Sequence, residues 1–168
     1  SSDFLSIDEF ITAKPQKYFS QSIYNQFSAF LKELKASKPN ILADLFNQNQ
    51  AVINRGVNIL TEVNDKDIHD IYYPSSELEL LFFIEREIHY NYLKLLERTY
   101  FVFVYFISYN SRISRGKSTE KLDLFNCVEE IKDQFPEFTN IYDNTLRNGI
   151  AHGSTIFKND KISYIDKK

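Results

Sequence analysis

Little in this chain can staple it or break it. A lone cysteine, Cys127, rules out an internal disulfide and leaves no second thiol for a cysteine-rich zinc module; one unpartnered thiol is ordinary for a reducing compartment. Four glycines and four prolines are too few for the many tight turns of a sandwich of short strands, so long helices are expected instead. Basic residues are not in excess: 20 Lys and Arg face 23 Asp and Glu, a net charge of −3. That balance excludes a protein that coats nucleic acid by neutralising many phosphates, and any contact with RNA has to be local. Long apolar runs are missing as well. The most apolar stretch, Tyr100 to Tyr109, is about half of the ~20 residues that cross a bilayer, and nothing reads as a signal peptide. A soluble, cytoplasmic protein without membrane contact is the expectation. Gly-rich phosphate loops, His-Glu-x-x-His pairs and Ser-centred nucleophile elbows are absent too.

What is present is core material. The 168 residues are 43% hydrophobic and 15% aromatic, enough to fill one hydrophobic core, so a single helical domain spanning 1–168 is expected. The start at Ser1-Ser2 without Met and the end at Lys167-Lys168 fit a domain excised from a longer protein. Residues 1–20, with Pro15, read as an N-terminal arm. From Ser22 to Lys35 the apolar positions Ile23, Phe27, Phe30, Leu31 and Leu34 recur at three and four, the period of an amphipathic helix that Pro39 separates from the next. Ile41 to Val63 repeats the pattern, with Gly56 as a weak point and a break expected near Asn47 to Asn49.

Asp65 to Pro74 reads as a connection, and Ser76 followed by Glu79 forms a capping box that opens a helix. From Glu77 to about Ser114 there is no Gly or Pro, and Tyr100 to Ile107 is apolar on every side, the mark of a central helix; a buried strand is the rival reading. Arg112 to Ser118, with Gly116, reads as a turn. Thr119 to Gln134 is predicted to be a helix with Leu122, Phe125, Val128 and Ile131 inward. A last helix is predicted from Pro136 to His152, with Gly153 just past its end, and residues 154–168 form a C-terminal appendage whose Thr155-Ile156-Phe157 and Ile162-Ser163-Tyr164-Ile165 pair as a hairpin. The expected fold is all-α, an up-and-down helical bundle with a small C-terminal β-hairpin or extended appendage.

The chemistry lies in Leu146-Arg147-Asn148-Gly149-Ile150-Ala151-His152-Gly153. An imidazole moves protons near neutral pH, and a guanidinium holds the charge that builds on phosphate oxygens as a phosphodiester breaks. On the predicted helix Arg147 lies opposite the apolar stripe. His152 follows five residues on, about 140° round and ~7.5 Å along, so the two side chains do not stack. Asn148, four residues before His152, faces the same way and is placed to orient its ring. Gly149 costs a helix about 1 kcal/mol relative to Ala, which suggests close approach by another backbone or a ligand.

The octet resembles the R-x(4 to 6)-H signature of the HEPN superfamily, small all-helical proteins that include many metal-independent ribonucleases of toxin, anti-phage and CRISPR-associated systems. It covers about a twentieth of the chain, and the asparagine after the arginine and the Ala-His-Gly ending match variants common in that family. The resemblance implies Arg147 and His152 as catalytic residues with Asn148 in support, no cofactor and no metal. It also implies RNA as the partner, cut through 2′-hydroxyl attack to a 2′,3′-cyclic phosphate. Each copy supplies one motif histidine, and a homodimer joined through the motif face brings two into one cleft. Such an endoribonuclease would serve anti-phage defence or a toxin system, restrained by an inhibitory partner or a further domain. HEPN proteins linked to antitoxin modification carry a tyrosine two positions after the histidine; here that residue is Ser154, and no partner of that type is expected.

Plainer readings stand beside this one. The alternative function is a non-catalytic HEPN-like RNA-binding or dimerisation module. Asp143 and Arg147 at i, i+4 read as a surface ion pair, and His152 as a cap on the last carbonyls. Glu97 reads as solvated or paired with Arg98, with reach toward Arg147 the less favoured option. Arg86 and His89, near Glu85, read as a polar surface patch. His69, between Asp67 and Asp70, lacks a second His or Cys at ligand spacing. Tyr142 and Tyr164 are core material first and base-stacking surfaces second.

Overall fold

In the computed structural model, residues 20–65, 74–159 and 161–166 are described; the expected 1–20 arm, apart from Ser20, and His69 with most of its connection lie outside them. The chain divides into two compact units, Ser1–Pro39 and Asn40–Lys168. In the first, helix α1 (Gln21–Ser37) starts where the Ser20 hydroxyl accepts from the Ile23 N–H, and its buried residues Phe30, Leu31 and Leu34 keep the predicted spacing.

The second unit opens along helix α2 (Pro39–Asp65). The break expected near Asn47 to Asn49 does not occur. Asn49 turns its side-chain amide back to donate to the Leu45 carbonyl at 2.8 Å, so this polar stretch is satisfied within the helix. Helix α3 then runs without interruption over 77–114, capped by the Ser76 hydroxyl on the Glu79 N–H at 3.2 Å, and the strand reading of Tyr100 to Ile107 is set aside. The Glu79 carboxylate reaches back to the N–H and hydroxyl of Ser75, one residue earlier than the capping box predicts. Two turns of α3, Ile84–His89 and Leu95–Tyr100, are π-helical. Helices α2 and α3 cross closely: Thr99 donates to the Gly56 carbonyl at 2.8 Å, and a Cβ at Gly56 would stand 2.8 Å from the Arg98 carbonyl oxygen.

Helix α4 (Leu124–Ile131) is shorter than the predicted Thr119 to Gln134, because the Asp123 carboxylate caps the Asn126 N–H at 2.7 Å and Lys121 takes a φ of 54° just before it. At 100° per residue that start turns Cys127, Val128 and Ile131 inward and leaves Phe125, expected inside, 47% exposed. Glu130, almost buried, takes a hydrogen bond from Ser111 and pairs with Arg115, fastening α4 to the end of α3. The core gathers Leu45 and Ile53 of α2, Leu96, Tyr100, Val104, Phe106 and Ile107 of α3, the inward face of α4, and Phe138.

The predicted helix from Pro136 to His152 is two helices, α5 (Pro136–Thr139) and α6 (Asn144–Ala151). Asp143 divides them, since its carboxylate caps the Leu146 N–H at 2.9 Å and a side chain so engaged starts a helix rather than continuing one. At the far end Gly153, with a φ of 61°, takes the left-handed turn predicted for it: its N–H returns to the Ile150 carbonyl, and the Ser154 N–H to Gly149 at 2.7 Å. Strands β1 (Thr155–Lys158) and β2 (Lys161–Tyr164) pair antiparallel, Thr155 opposite Tyr164 and Phe157 opposite Ile162. These four residues form the half-buried face of the hairpin. The fold class is therefore all-α with a small β appendage, and among the described residues no helix is long and apolar enough to cross a membrane.

Candidate active site

Helix α6 holds the octet against two supports. On one side lies the hairpin. A Cβ at Gly149 would stand 2.9 Å from the Cβ of Tyr164 and 3.3 Å from the Ile165 nitrogen, and the Ile165 N–H closes the contact on the Ser154 carbonyl at 2.9 Å. The close approach inferred from a glycine inside a helix is thus made by Tyr164 at the end of β2 and by the backbone of Ile165. On the other side lies α3, from which Glu97 reaches Arg147.

The guanidinium of Arg147 donates from Nη2 at 2.6 Å and from Nε at 3.1 Å to Oε1 of Glu97, and from Nη1 at 2.8 Å to Oδ1 of Asn148. Asn148 in turn donates from Nδ2 to Oδ1 of Asp166 at 3.2 Å. A row of four polar side chains results, drawn from α3, α6 and the end of the hairpin. These contacts engage three of the five guanidinium N–H groups, leaving two. With 31% of the Arg147 side chain and 35% of Glu97 exposed, the pair sits at the surface, within reach of a ligand oxygen.

Two readings from sequence change here. Arg147 pairs with Glu97 and not with Asp143, whose carboxylate is occupied by the helix N-terminus. Asn148 supports the arginine: its amide lies between Arg147 and Asp166, in place of the expected hydrogen bond to the His152 ring. His152 is the C-terminal cap residue of α6, its backbone N–H returns to the Asn148 carbonyl at 3.0 Å, and its side chain is exposed. Arg147 and His152 are therefore delivered by one helix, five residues apart, about 140° round an ideal one.

The Glu97 partnership was legible only as the less favoured option, because the two residues stand fifty positions apart. Its structural signal is the π-helical turn Leu95–Tyr100, a feature frequent at functional sites. Asp166 had no signal at all. His89, read as part of a surface patch, is 7% exposed; its Nε2 meets the Tyr164 hydroxyl at 2.9 Å and its ring meets that of Tyr164 edge-on. Burial pushes its pKa below the ordinary 6.5, against an opposing pull from Glu85. Arg86, the other member of that patch, lies over the Phe82 ring. Tyr164 is bonded to His89, and half-buried Tyr142 donates to Asn144 at 2.9 Å. Buried Cys127 has its thiol pushed up to about 11 by desolvation. Among the described residues, no three His, Cys, Asp or Glu side chains cluster as a metal site.

Comparison of the chain with protein-family models, with curated proteins and with solved structures finds no match.

Proposed function

We propose that the chain is a metal-independent endoribonuclease of the HEPN type, acting as a homodimer on single-stranded RNA in a defence or toxin setting. One observation carries the proposal: an arginine held by a carboxylate and an amide, with two N–H groups left over, shares a short helix with an exposed histidine.

In this reading Glu97 and Asn148 fix the plane of the guanidinium, and the remaining N–H groups of Arg147 take the non-bridging oxygens of the scissile phosphate. They grip more firmly as charge accumulates on the phosphorane. The imidazole of His152 removes the proton of the 2′-hydroxyl, whose oxygen attacks phosphorus. The partner's His152, protonated, gives its proton to the departing 5′-oxygen. The products are a 2′,3′-cyclic phosphate and a free 5′-hydroxyl, with no net proton consumed. A dimer answers the need for two imidazoles, because each copy carries one motif histidine and a two-fold axis supplies the second.

The test is incubation of the purified chain with end-labelled single-stranded RNA in EDTA, beside His152→Ala and Arg147→Ala. Cutting by the wild type alone, with cyclic phosphate ends, supports the proposal. Equal background in all three contradicts it, and RNA binding without cutting, unchanged in both variants, favours the non-catalytic module instead.

A further inference from the structure

A second feature adjoins the octet. Between the first half of α3 and the inner face of the hairpin lies a pocket of about 270 Å³. Its walls include the rings of Phe82 and Phe157 and the side chain of Ile162, and its polar groups are Glu85, His89 and Thr155. His89 is bonded to Tyr164, whose Cβ presses on Gly149, so the hairpin wall is tied both to α3 and to the motif helix. Thr155 follows His152 by three residues, which keeps their Cα atoms within about 11 Å.

We infer that this pocket is a base-binding subsite, taking an unstacked nucleobase of the RNA strand whose phosphate lies at Arg147 and His152. The inference rests on the reading of RNA as the ligand and adds where the strand is read. Three observations favour a base over other occupants. The walls are apolar and partly aromatic, suited to the faces of a flat ring. The Glu85 carboxylate repels phosphate, so the backbone stays outside while the base enters. A carboxylate accepts hydrogen bonds and offers none, so it selects bases carrying an exocyclic amino group, cytosine, adenine or guanine, over uracil, which presents a carbonyl oxygen at the corresponding edge. His89, engaged by Tyr164, sets the shape of the pocket and is a positioning residue.

The experiment is a titration of the whole 15N-labelled chain with cytidine, adenosine and uridine, following the backbone amides of Thr155, Phe157 and Ile162 by NMR. Saturable shifts with cytidine and adenosine are expected, with uridine binding about tenfold more weakly. Glu85→Gln, a surface change of equal size, should weaken cytidine about tenfold and narrow the gap to uridine. His152→Ala should bind cytidine like the wild type, since His152 does not line the pocket. Absence of a saturable shift with every nucleoside overturns the inference. So does an equal response to all three that Glu85→Gln leaves unchanged, or saturation of the same amides by a leucine-rich peptide alone. The two proposals fail separately. Nucleoside binding by a chain that cuts no RNA removes the ribonuclease and keeps the pocket, while RNA cutting by a chain that binds no nucleoside removes the pocket and keeps the ribonuclease.

Discussion

At the scale of single residues, Arg147 is where charge, geometry and exposure meet. Glu97 holds its Nε and Nη2 and Asn148 holds its Nη1, an arrangement only a planar fork can satisfy. Arg147→Lys keeps the charge and loses the fork, so cleavage in the RNA assay is expected to fall about 100-fold, comparable to loss of a transition-state donor. Glu97→Gln retains an acceptor for the guanidinium and should cost less than Arg147→Lys; the comparison separates positioning from charge, because a purely structural Glu97 would lower stability and leave the rate of the folded fraction unchanged. The octet itself was plain in the sequence, as a local pattern is. Its carboxylate was not, because pairing across fifty residues depends on how α3 is phased. Cys127 gives an independent check on burial. With its thiol raised to about 11, the folded chain should resist a thiol reagent at neutral pH and react on addition of denaturant.

At the scale of elements, periodicity located the helices and side-chain caps decided their ends. The long α3 was readable because no Gly or Pro interrupts it, and the hairpin because β-branched and aromatic residues flank a polar connection. Helices α4 and α6 came out shorter than their apolar stripes, since Asp123 and Asp143 each bind a backbone N–H three residues on and begin a helix there. The junction of α6 with β2 turns on Gly149. Gly149→Ala gains about 1 kcal/mol of helix propensity and sets a methyl group 2.9 Å from the Tyr164 Cβ, an overpacking worth about 1 to 3 kcal/mol. The net expectation is a modest loss of stability in urea unfolding, with the amides of Ser154 and Ile165 exchanging faster. Gly56→Ala should cost more, because the atom it meets is a backbone carbonyl that has no rotamer to change.

At the scale of the whole molecule, the His89 to Tyr164 contact links stability to pH. Burial lowers the pKa of His89 in the fold, so between that depressed value and 6.5 the unfolded chain binds a proton the native chain does not. The stabilisation from neutral His89 is full above 6.5 and is lost as pH falls below it. Urea midpoints should therefore drop between about pH 7.5 and pH 5.5, and His89→Gln should flatten that part of the profile. The all-α class followed from composition and period, whereas assembly is written in no local pattern, because a surface becomes an interface only against its copy. Assembly is also what the enzymatic account needs, since each copy supplies one motif histidine and the proposed cleavage uses two. The most direct measurement mixes the wild type with an excess of His152→Ala in EDTA and follows the cutting of labelled single-stranded RNA. In a cleft that uses one imidazole from each copy a mixed dimer lacks half of the pair, so the account predicts activity well below the wild type's share of the mixture. Activity in proportion to that share, from a wild type that cuts as a monomer, would contradict it.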